Sequence, residues 1–508
     1  MNRTPFTRFT LAALLAAASA LPLSTLRTVQ AQPPSGSVSF TTRIYVQNPN
    51  SNPATAVVNF YDLTGAPQPV NVPLNLPANG STEILIGNLT GLGSPWRGSA
   101  VISADQPVVA ASIQVPPSGY GHIMANAFTS AEASDKIFLT TFLAIGNPTN
   151  AVSLFGVQNT EAENVNIRAQ FVLPNGLNAA DVTLTLPAYT SKFFDGLNPT
   201  TTIASGLHGF NGSVVVTATK VSNGTPALIV GSSEERRVEN TGLFRFQAYG
   251  FEAIPQSAGA TTVYMPTALC NFALATTYFA VQNLSFTMPT VVTITYSAVT
   301  GTTPTQITNT VSPLAKWSVN PCQSNGDQSF SGAAVIQSSV SPVAAIGKAR
   351  QEPPPTNTNP RYVTAYRAEA TSTNRLAIPF VRWSPRGDSN SFRSYIAIQN
   401  IGTAVIPAGQ LTVTYYSVTG AVINTCVSQN ATPVGEKQNS NVAAAFPGTS
   451  STLSCSVIQP TDGAFYTFAG SAIVQGPPGS ALIAVVRNSP DPLAVRVHTE
   501  DMNAIPLP

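Results

Sequence analysis

Side chains that could carry out catalysis are few in this sequence and do not recur. A serine hydrolase needs a histidine within hydrogen-bond reach of its nucleophile, and only His122, His208 and His498 are present. They stand at different places relative to the internal repeat described below, and no Gly-x-Ser-x-Gly motif occurs. We therefore interpret the three histidines as ordinary loop or strand-end residues.

Two pairs of neighbouring carboxylates could be considered for glycoside hydrolysis, which uses two carboxyl groups on either side of the scissile bond. These pairs are Glu234 with Glu235 and Glu500 with Asp501. Because adjacent residues of a β-strand point to opposite faces, neither pair is expected to converge on one substrate. The charged stretch 234–237, Glu-Glu-Arg-Arg, is interpreted instead as a solvated turn. We predict no catalytic residue and interpret the protein as not an enzyme.

The four cysteines are the residues most suited to a covalent role. They fall into two pairs, each within one repeat: Cys270 with Cys322, and Cys426 with Cys455. Disulfide bonds are reasonable if the chain is exported to an oxidising compartment, and each typically stabilises a protein by about 2–4 kcal/mol. The alternative is free, buried thiols. No Cys-x-x-Cys spacing is present, so a zinc site is not expected.

Residues typical of calcium or sugar binding occur only as fragments. The stretches 325–327 (Asn-Gly-Asp) and 388–391 (Asp-Ser-Asn-Ser) lack the spaced series of oxygen ligands that calcium requires. Trp96, Trp317 and Trp383 are spread over three repeats, whereas a sugar-stacking platform would have several aromatic side chains on one exposed face. We interpret these tryptophans as packing residues of single domains, and we predict neither a metal nor a cofactor.

An internal repeat determines which elements would position these residues. A Val/Ile-Gln-Asn tripeptide occurs four times, at 46–48, 157–159, 281–283 and 398–400. Its glutamines are 111, 124 and 117 residues apart, which is the length of a domain rather than of a solenoid repeat. We predict that the aliphatic residue points inward, that Gln points outward, and that Asn ends a strand by hydrogen-bonding nearby backbone. A binding role for the Gln-Asn pairs is the alternative.

Two glycine positions recur at similar distances beyond each tripeptide. The first is expected in a turn: Gly65, Gly176, Gly301 and Gly420. The second opens a strand of small and aliphatic residues: Gly98, Gly212, Gly332 and Gly470. Apolar and polar residues alternate within 291–296, which predicts strands with one buried face. A closing segment with an aromatic residue and a glutamate follows in three copies, with Glu132, Glu252 and Glu369.

The repeat predicts an all-β chain of four tandem β-sandwich modules. Their expected bounds are 38–134, 135–258, 259–372 and 373–508, joined by short polar boundaries that favour end-to-end stacking. The first module lacks part of its opening strand, which a neighbour could supply. The fourth carries an insertion of about twenty residues that contains its two cysteines. The stretch 352–360 (Glu-Pro-Pro-Pro-Thr-Asn-Thr-Asn-Pro) is expected to be an extended, solvent-facing connection.

The composition excludes some classes of function. Charged residues make up 9% of the chain, against about 25% in an average soluble protein, and no clustered basic face is available for nucleic acid. The formal charge of +2 includes three arginines and no acid in residues 1–31, so the remainder is close to neutral. Such surfaces repel one another weakly, which favours self-association.

Residues 1–31 have the pattern of an export signal. Arg3 and Arg8 precede an apolar core at 11–23, which has 13 residues and is shorter than the roughly 20 needed to span a bilayer. We predict cleavage after Ala31. Cleavage after Ala20 and an uncleaved anchor are the alternatives. No later segment is long and apolar enough to span a membrane, so we expect an extracellular or cell-surface protein.

The tripeptide, the 414–420 stretch (Thr-Tyr-Tyr-Ser-Val-Thr-Gly) and the Gly-Ser-Ala-Ile-Val strand at 470–474 together resemble tandem immunoglobulin-like or fibronectin-type β-sandwich arrays of bacterial surfaces. The resemblance covers residues 38 to about 500. It implies modules used as spacers, adhesive units or envelope-lattice subunits. We expect a structural protein that self-associates into a lattice or fibre; the alternative is an adhesin or carbohydrate-binding array. The expected partners are further copies of the chain or cell-surface glycans.

Overall fold

A computed structural model describes residues 7–11, 40–93, 96–115, 122–145, 151–196, 207, 209–239, 245–351, 362–383, 392–441, 453–455, 468–490 and 500–507. Within these ranges the chain forms antiparallel β-strands and four short 3-10 helices, and no α-helix. No helix in the described part could cross a membrane. The predicted all-β class is confirmed.

The strands fall into four consecutive groups, which we call modules 1 to 4. Module 1 contains β1 (Thr7–Leu11), β2 (Thr41–Gln47), β3 (Ala54–Asp62), β4 (Pro67–Leu76), β5 (Ser81–Leu85), β6 (Gly98–Ala104), β7 (Val109–Val115), β8 (Ile123–Asn126) and β9 (Phe128–Thr129). Module 2 contains β10 (Lys136–Ala144), β11 (Ala151–Asn159), β12 (Val165–Val172), β13 (Asn178–Leu186), β14 (Ser191–Asp195), β15 (Phe210–Lys220), β16 (Ile229–Glu239), β17 (Arg245–Glu252) and β18 (Ile254–Pro255).

The other two modules follow the same succession. Module 3 contains β19 (Thr262–Cys270), β20 (Ala275–Asn283), β21 (Thr290–Gly301), β22 (Ile307–Val311), β23 (Lys316–Val319), β24 (Phe330–Ser338), β25 (Val343–Gln351) and β26 (Tyr362–Arg367). Module 4 contains β27 (Arg375–Trp383), β28 (Phe392–Asn400), β29 (Thr412–Ser417), β30 (Val422–Ser428), β31 (Lys437–Asn441), β32 (Leu453–Cys455), β33 (Phe468–Gln475), β34 (Leu482–Pro490), β35 (Glu500–Asn503) and β36 (Ile505–Pro506). The 3-10 helices are Ile86–Asn88, Ser130–Glu132, Gln256–Ala258 and Pro321–Ser324.

Every module has the same two layers of strands, which are separate sheets in modules 1 and 3 and are joined by one residue pair between the first and second strands in modules 2 and 4. If β32 is set aside, one sheet has the order fourth, third, sixth and first strand, and the other has fifth, second, seventh and eighth. In module 2, for example, Phe155 of one sheet packs against Phe171 of the other with ring centroids 6.2 Å apart. Alternate residues of each sheet fill the space between the two sheets, as the period-2 pattern predicts. The modules are therefore β-sandwiches.

Two repeated features lie where the sequence places them. The four turn glycines have φ between +81° and +89°, a region that glycine adopts without steric cost. The tripeptide asparagines are buried, and their side chains close the strand end. Asn159, for instance, donates from Nδ2 to the carbonyl oxygens of Glu163 and Pro187, both at 2.8 Å. Both predictions are confirmed.

The modules form a closed ring, so the prediction of end-to-end stacking is wrong. The eighth strands β8, β17, β26 and β35 contact one another in succession, and β35 contacts β8. One apolar core is shared by modules 2 and 3, and a second joins module 4 to Tyr45, Ala111, Ile113 and Met124 of module 1. Burying sheet faces between modules removes apolar area from water that an extended array would leave exposed.

The opening strand of module 1 comes from the chain's own N-terminal segment. The strand β1 lies between β6 and β9, with Thr7 opposite Ala104 and Phe9 opposite Thr129. This strand falls within the predicted leader. The missing strand is therefore supplied here by the same chain and not by a neighbour.

Candidate functional site

The junctions between modules are built from the residues that define the sequence repeat. At each junction, the first-strand sheet of one module faces the sheet that carries the tripeptide of the next. The tripeptide glutamines, predicted to point outward, are instead buried: Gln47, Gln158, Gln282 and Gln399 are at most 3% exposed. The prediction fails because period 2 distinguishes two faces of a strand, but it does not show that a second domain covers the outer one.

A turn at equivalent positions of modules 1 and 3 presents a carbonyl oxygen, that of Asn79 or of Leu314, to a serine of the neighbouring module. The residues at this position of the four modules all have positive φ: Asn79, Tyr189, Leu314 and Gly435. Ser213 of module 2 donates from Oγ to the Leu314 carbonyl of module 3 at 2.7 Å, and Gln282 Nε2 donates to the same oxygen at 3.0 Å. A serine follows the strand-opening glycine in three of the four copies. Each of these serines contacts a neighbouring module, although Ser99 accepts from Gln158 Nε2 whereas Ser471 donates to the Asn79 carbonyl.

The junction between modules 2 and 3 contains a group of polar side chains in addition to the apolar core that the two modules share. Lys316 and Lys348 of module 3 both donate from Nζ to Thr141 Oγ1 of module 2, at 3.1 and 3.3 Å. Lys348 also forms an ion pair with Glu235 of module 2. Burial, together with the neighbouring Lys348, lowers the pKa of Lys316 to about 7. At neutral pH the amine of Lys316 is therefore neutral in a substantial fraction of the molecules.

The junction between modules 4 and 1 closes the ring and includes an aromatic stack. Phe380 stacks on Tyr45 with ring centroids 4.0 Å apart. The Arg375 Nη2 group donates to the Pro49 carbonyl at 2.7 Å, and the Ser81 amide donates to the Val418 carbonyl at 3.1 Å. These contacts join residues from opposite ends of the chain.

Near the contacts of the eighth strands lies a group of buried polar side chains, which we call the axial polar cluster: Asn126, Glu132, Glu252, Arg367, Glu369 and Asn503. Arg367 binds Glu132 of module 1 at 2.9 Å and Glu369 of its own module at 2.7 Å. Asn503 of module 4 donates from Nδ2 to the Arg367 carbonyl at 2.8 Å. The cluster thus joins all four modules, since Asn126 of module 1 donates to Glu252 of module 2.

The charged side chains of this cluster stabilise one another's ionised forms. Burial alone would lower the pKa of Arg367, but Glu369, Glu132 and Glu252 raise it well above its usual value. Burial raises the pKa of Glu252 and Glu369, and the positive charge of Arg367 partly opposes that effect. Removing one partner would leave another buried charge uncompensated, which is strongly destabilising. The cluster therefore couples residues of all four modules, so that loss of one member would affect its partners in the others.

Glu500 belongs to the closing junction rather than to a catalytic pair. Its carboxylate binds His122 of module 1 and, at 2.8 Å, Arg382 of module 4. Burial would raise the pKa of Glu500, but Arg382 and His122 lower it to about 2. Asp501 points to other partners, Arg487 and Thr364. The two carboxylates do not converge, and His122 is a junction residue at the start of β8.

The interpretation of 234–237 as a solvated turn is wrong. These residues lie in the interior of β16, and both Glu234 and Glu235 are buried. Arg236 forms an ion pair with Glu234. In this charge-poor sequence, the run of charged residues therefore includes Glu235, which pairs with Lys348 of the neighbouring module. His208, His498, Asp388 and the 352–360 stretch lie outside the described residues.

The structure contains two disulfide bonds, Cys270–Cys322 and Cys426–Cys455. The only group of side chains in the described part that could gather around a metal ion is Cys270, Cys322 and Asp327. Both of its sulfur atoms are in a disulfide, so they are not available as thiolate ligands. Asn325 donates instead to the carbonyl of Gln328 at 2.8 Å, which makes this stretch a turn.

The tryptophans pack inside single modules. Trp96 meets Phe60 edge to face, with ring centroids 5.7 Å apart. Trp317 packs against the core shared by modules 2 and 3, and Trp383 is buried in the core of module 4. None of them contributes to an exposed aromatic platform.

One loop of module 3 combines strained backbone with exposed apolar side chains. It connects β19 to β20, and three of its four residues are non-glycine residues with positive φ: Asn271 (47°), Ala273 (50°) and Leu274 (65°). Phe272 and Leu274 are 38% and 43% exposed, and the neighbouring Tyr278 is 40% exposed. We call residues 271–274 the pinned loop.

The surroundings keep the pinned loop in its strained conformation. The disulfide from Cys270 fixes the residue that precedes it. Asn271 Nδ2 donates to the Asp327 carbonyl at 2.9 Å, and Gln351 Nε2 donates to the Ala273 carbonyl at 2.9 Å. Non-glycine residues held in such regions cost about 1–3 kcal/mol each and concentrate at functional sites. Sequence reasoning missed this loop because only Asn271 is of a type that favours positive φ, whereas Ala273 and Leu274 give no such signal.

Comparisons with known proteins do not assign a family. No family model matches the chain, and no curated protein matches it. One solved structure, "tetra-tandem repeat in extending region of large adhesion protein", aligns over 90% of this chain and 93% of its own with 13% identity and a TM-score of 0.09. Another, titled for "host cell surface retention of a 1.5-MDa bacterial ice-binding adhesin", aligns over 70% and 90% with 12% identity and a TM-score of 0.10. At these TM-scores we draw no conclusion about fold or function from the alignments.

Proposed function

We propose that this protein is an exported, non-catalytic adhesin-type protein that binds a partner through the pinned loop of its closed ring of β-sandwiches. The observation that carries the proposal is the loop itself. Phe272 and Leu274 are held in solvent by strained backbone that a disulfide and two side-chain hydrogen bonds maintain. Because that conformation is fixed before binding, little further entropy is lost when a partner is contacted.

The sandwich architecture supports this use of the loop. Two strand orders match those of immunoglobulin domains. In one layer of each module the third, sixth and first strands lie side by side, as strands D, E and B do in those domains. In the other layer the second, seventh and eighth strands correspond to C, F and G. We infer an immunoglobulin-like module on that basis. In such domains the loops at one end of the sandwich form the contact surface.

Export is supported by the two disulfide bonds, which persist in oxidising compartments and are rare in the cytosol. The leader pattern in residues 1–31 agrees with that location.

The closed ring favours a discrete binding unit over a fibre built by stacking modules. A head-to-tail interface that does not close generates an open filament, whereas one that closes leaves no free end. Here module 4 meets module 1, so both ends are covered. Lattice or fibre formation is the second candidate, favoured by β13, an edge strand whose only described sheet neighbour is β12.

Binding of the purified, fluorescently labelled chain to a glycan array and to intact cells tests the proposal. We expect binding that is lost in a Phe272→Ser/Leu274→Ser variant. The matched control is Phe286→Ser/Met288→Ser, because those side chains are 43% and 48% exposed in another loop of the same module. Absence of binding above background, or equal loss in both variants, contradicts the proposal. Concentration-dependent growth in light scattering would favour the lattice instead.

A further inference from the structure

The first-strand position of module 1 is filled differently from that of the other modules. β1 pairs with β6 from Thr7 opposite Ala104 to Leu11 opposite Ala100. Module 2 has the equivalent register, with Lys136 opposite Thr217. β1 therefore occupies the place that β10, β19 and β27 occupy in their own modules. It also pairs with β9, so it has a backbone neighbour on each side.

The connection after β1 is much longer than its counterparts. In module 3 only residues 271–274 separate the first strand from the second, whereas residues 12–40 separate β1 from β2. Cleavage after Ala31 would remove β1 and leave residues 32–40 before β2. That remnant contains Pro33, Pro34 and Gly36, which are poor strand residues. The cleaved chain therefore has no obvious strand of its own for this position.

We propose that, once the leader is removed, this position accepts an extended apolar β-strand from another polypeptide. The proposal rests on the export proposed above. The edge of β6 and the edge of β9 each present backbone groups that a strand between them would satisfy. Without such a strand, the row of groups on β6 is an open template for pairing.

The surroundings define which strand fits. A small cavity beside the position is lined in part by Ile102 and Thr129 of module 1 and by Ile505 of module 4. An incoming strand with aliphatic or aromatic side chains on one face would meet these residues and touch the ring-closing junction as well. The partner is therefore a peptide segment with alternating apolar residues, for which Thr7–Leu11 is the template.

A second folded copy of this chain is a less suitable donor. Its described strands of the matching type, β10, β19 and β27, are internal to the chain and already have strand neighbours within their own modules. Donating one of them would require a module to unfold. A terminal or loop segment of a different polypeptide has no such cost.

The experiment uses the chain purified from the medium or surface of exporting cells. Its N-terminus is determined, and native mass spectrometry shows whether a peptide accompanies it. If it does not, a synthetic peptide of residues 6–16 is added. The control peptide carries Thr10→Pro, because Thr10 faces both Val101 and Phe128 and proline cannot donate to a neighbouring strand. We expect one peptide per chain, bound at least tenfold more tightly than the control, with a higher melting temperature.

A cysteine pair tests the register. Phe9→Cys in the peptide should form a disulfide with Thr129→Cys in the protein, because these residues are opposite each other. Thr55→Cys, an exposed residue on β3, is the matched control and should not react.

The outcomes separate this inference from the proposed function. A chain that is not exported contradicts the proposed function. An exported chain that retains residues 7–11 overturns the inference alone. An exported chain that begins at Gln32 and neither carries nor binds a strand also overturns the inference. A chain found only as a homodimer joined at this site overturns it too.

Discussion

Thr141 of module 2 and Phe380 of module 4 occupy the same position of the first strand in their modules. Both lie in an irregularity of the strand, between Leu139 and Phe142 and between Ile378 and Val381, that aims a side chain at the next module. Thr141 accepts hydrogen bonds from two lysines of module 3, whereas Phe380 stacks on Tyr45 of module 1.

The two junctions differ in how the chain connects their modules. Modules 2 and 3 are adjacent in the chain, so their junction forms with a high effective concentration and tolerates a polar, partly titratable contact. Modules 4 and 1 are linked only through the rest of the ring, so their junction depends more on buried aromatic area. The closing junction is therefore expected to be the more sensitive of the two to mutation.

Phe380→Ala should have the largest effect. Phe380 is 5% exposed, and replacing a buried phenylalanine by alanine typically costs about 3–5 kcal/mol. We expect a lower denaturation midpoint and, because the closing contact is lost, a larger maximum dimension in small-angle X-ray scattering. Phe286→Ala removes an exposed ring and is the control. Unchanged dimensions in the Phe380 variant would contradict the importance of the closing stack.

Glu500→Gln should destabilise the closing junction in a pH-dependent way. Because the pKa of Glu500 is lowered from 4.5 to about 2, its contribution is present above pH 4.5 and is lost as the pH falls through 2. The shift corresponds to stabilisation on the order of 3 kcal/mol. Denaturant unfolding of wild type and variant at pH 7 and near pH 2 should show a difference that disappears in acid. Glu83→Gln, on the exposed β5, should show a smaller difference at pH 7.

Thr141→Ala tests the polar junction at the position equivalent to Phe380. Losing the acceptor for two buried lysines should cost about 1–3 kcal/mol, less than Phe380→Ala, and should leave the ring closed. Thr141→Ser keeps the hydroxyl and should restore most of the stability. If Thr141→Ala lowers the denaturation midpoint as much as Phe380→Ala does, the two junctions do not differ as described.

Lys316→Met should mainly alter the pH dependence of stability. Because the pKa of Lys316 is lowered from 10.5 to about 7, the unfolded chain binds more protons between those values, and stability should rise with pH across that window. The variant should lack this rise and be more stable than the wild type near pH 6, where the buried amine is still charged. Lys192→Met, at an exposed position, is the control. An unaltered slope in the Lys316 variant would argue that its amine is not desolvated.

Much of the local structure could be predicted from the sequence. The alternation in 291–296 predicts β21, the turn glycines adopt the positive φ that their spacing implies, and the tripeptide asparagines close their strands. The alternation and the turn glycines depend on residues close together in the chain, and the asparagines bind within their own module, up to 32 residues away. The pinned loop is the exception, since its positive φ values depend on a disulfide and on hydrogen bonds from Gln351 and to Asp327.

The sequence by itself determined the strands, the repeat and the scarcity of charge, because side-chain periodicity and turn preferences act over a few residues. Only the tertiary structure decided that the four modules close into a ring, that the tripeptide glutamines face a neighbouring module, and that Glu234 and Glu235 are buried. Glu500 and His122, which meet at the closing junction, are 378 residues apart. No local pattern can encode that contact, because it depends on the angle that every preceding module adds.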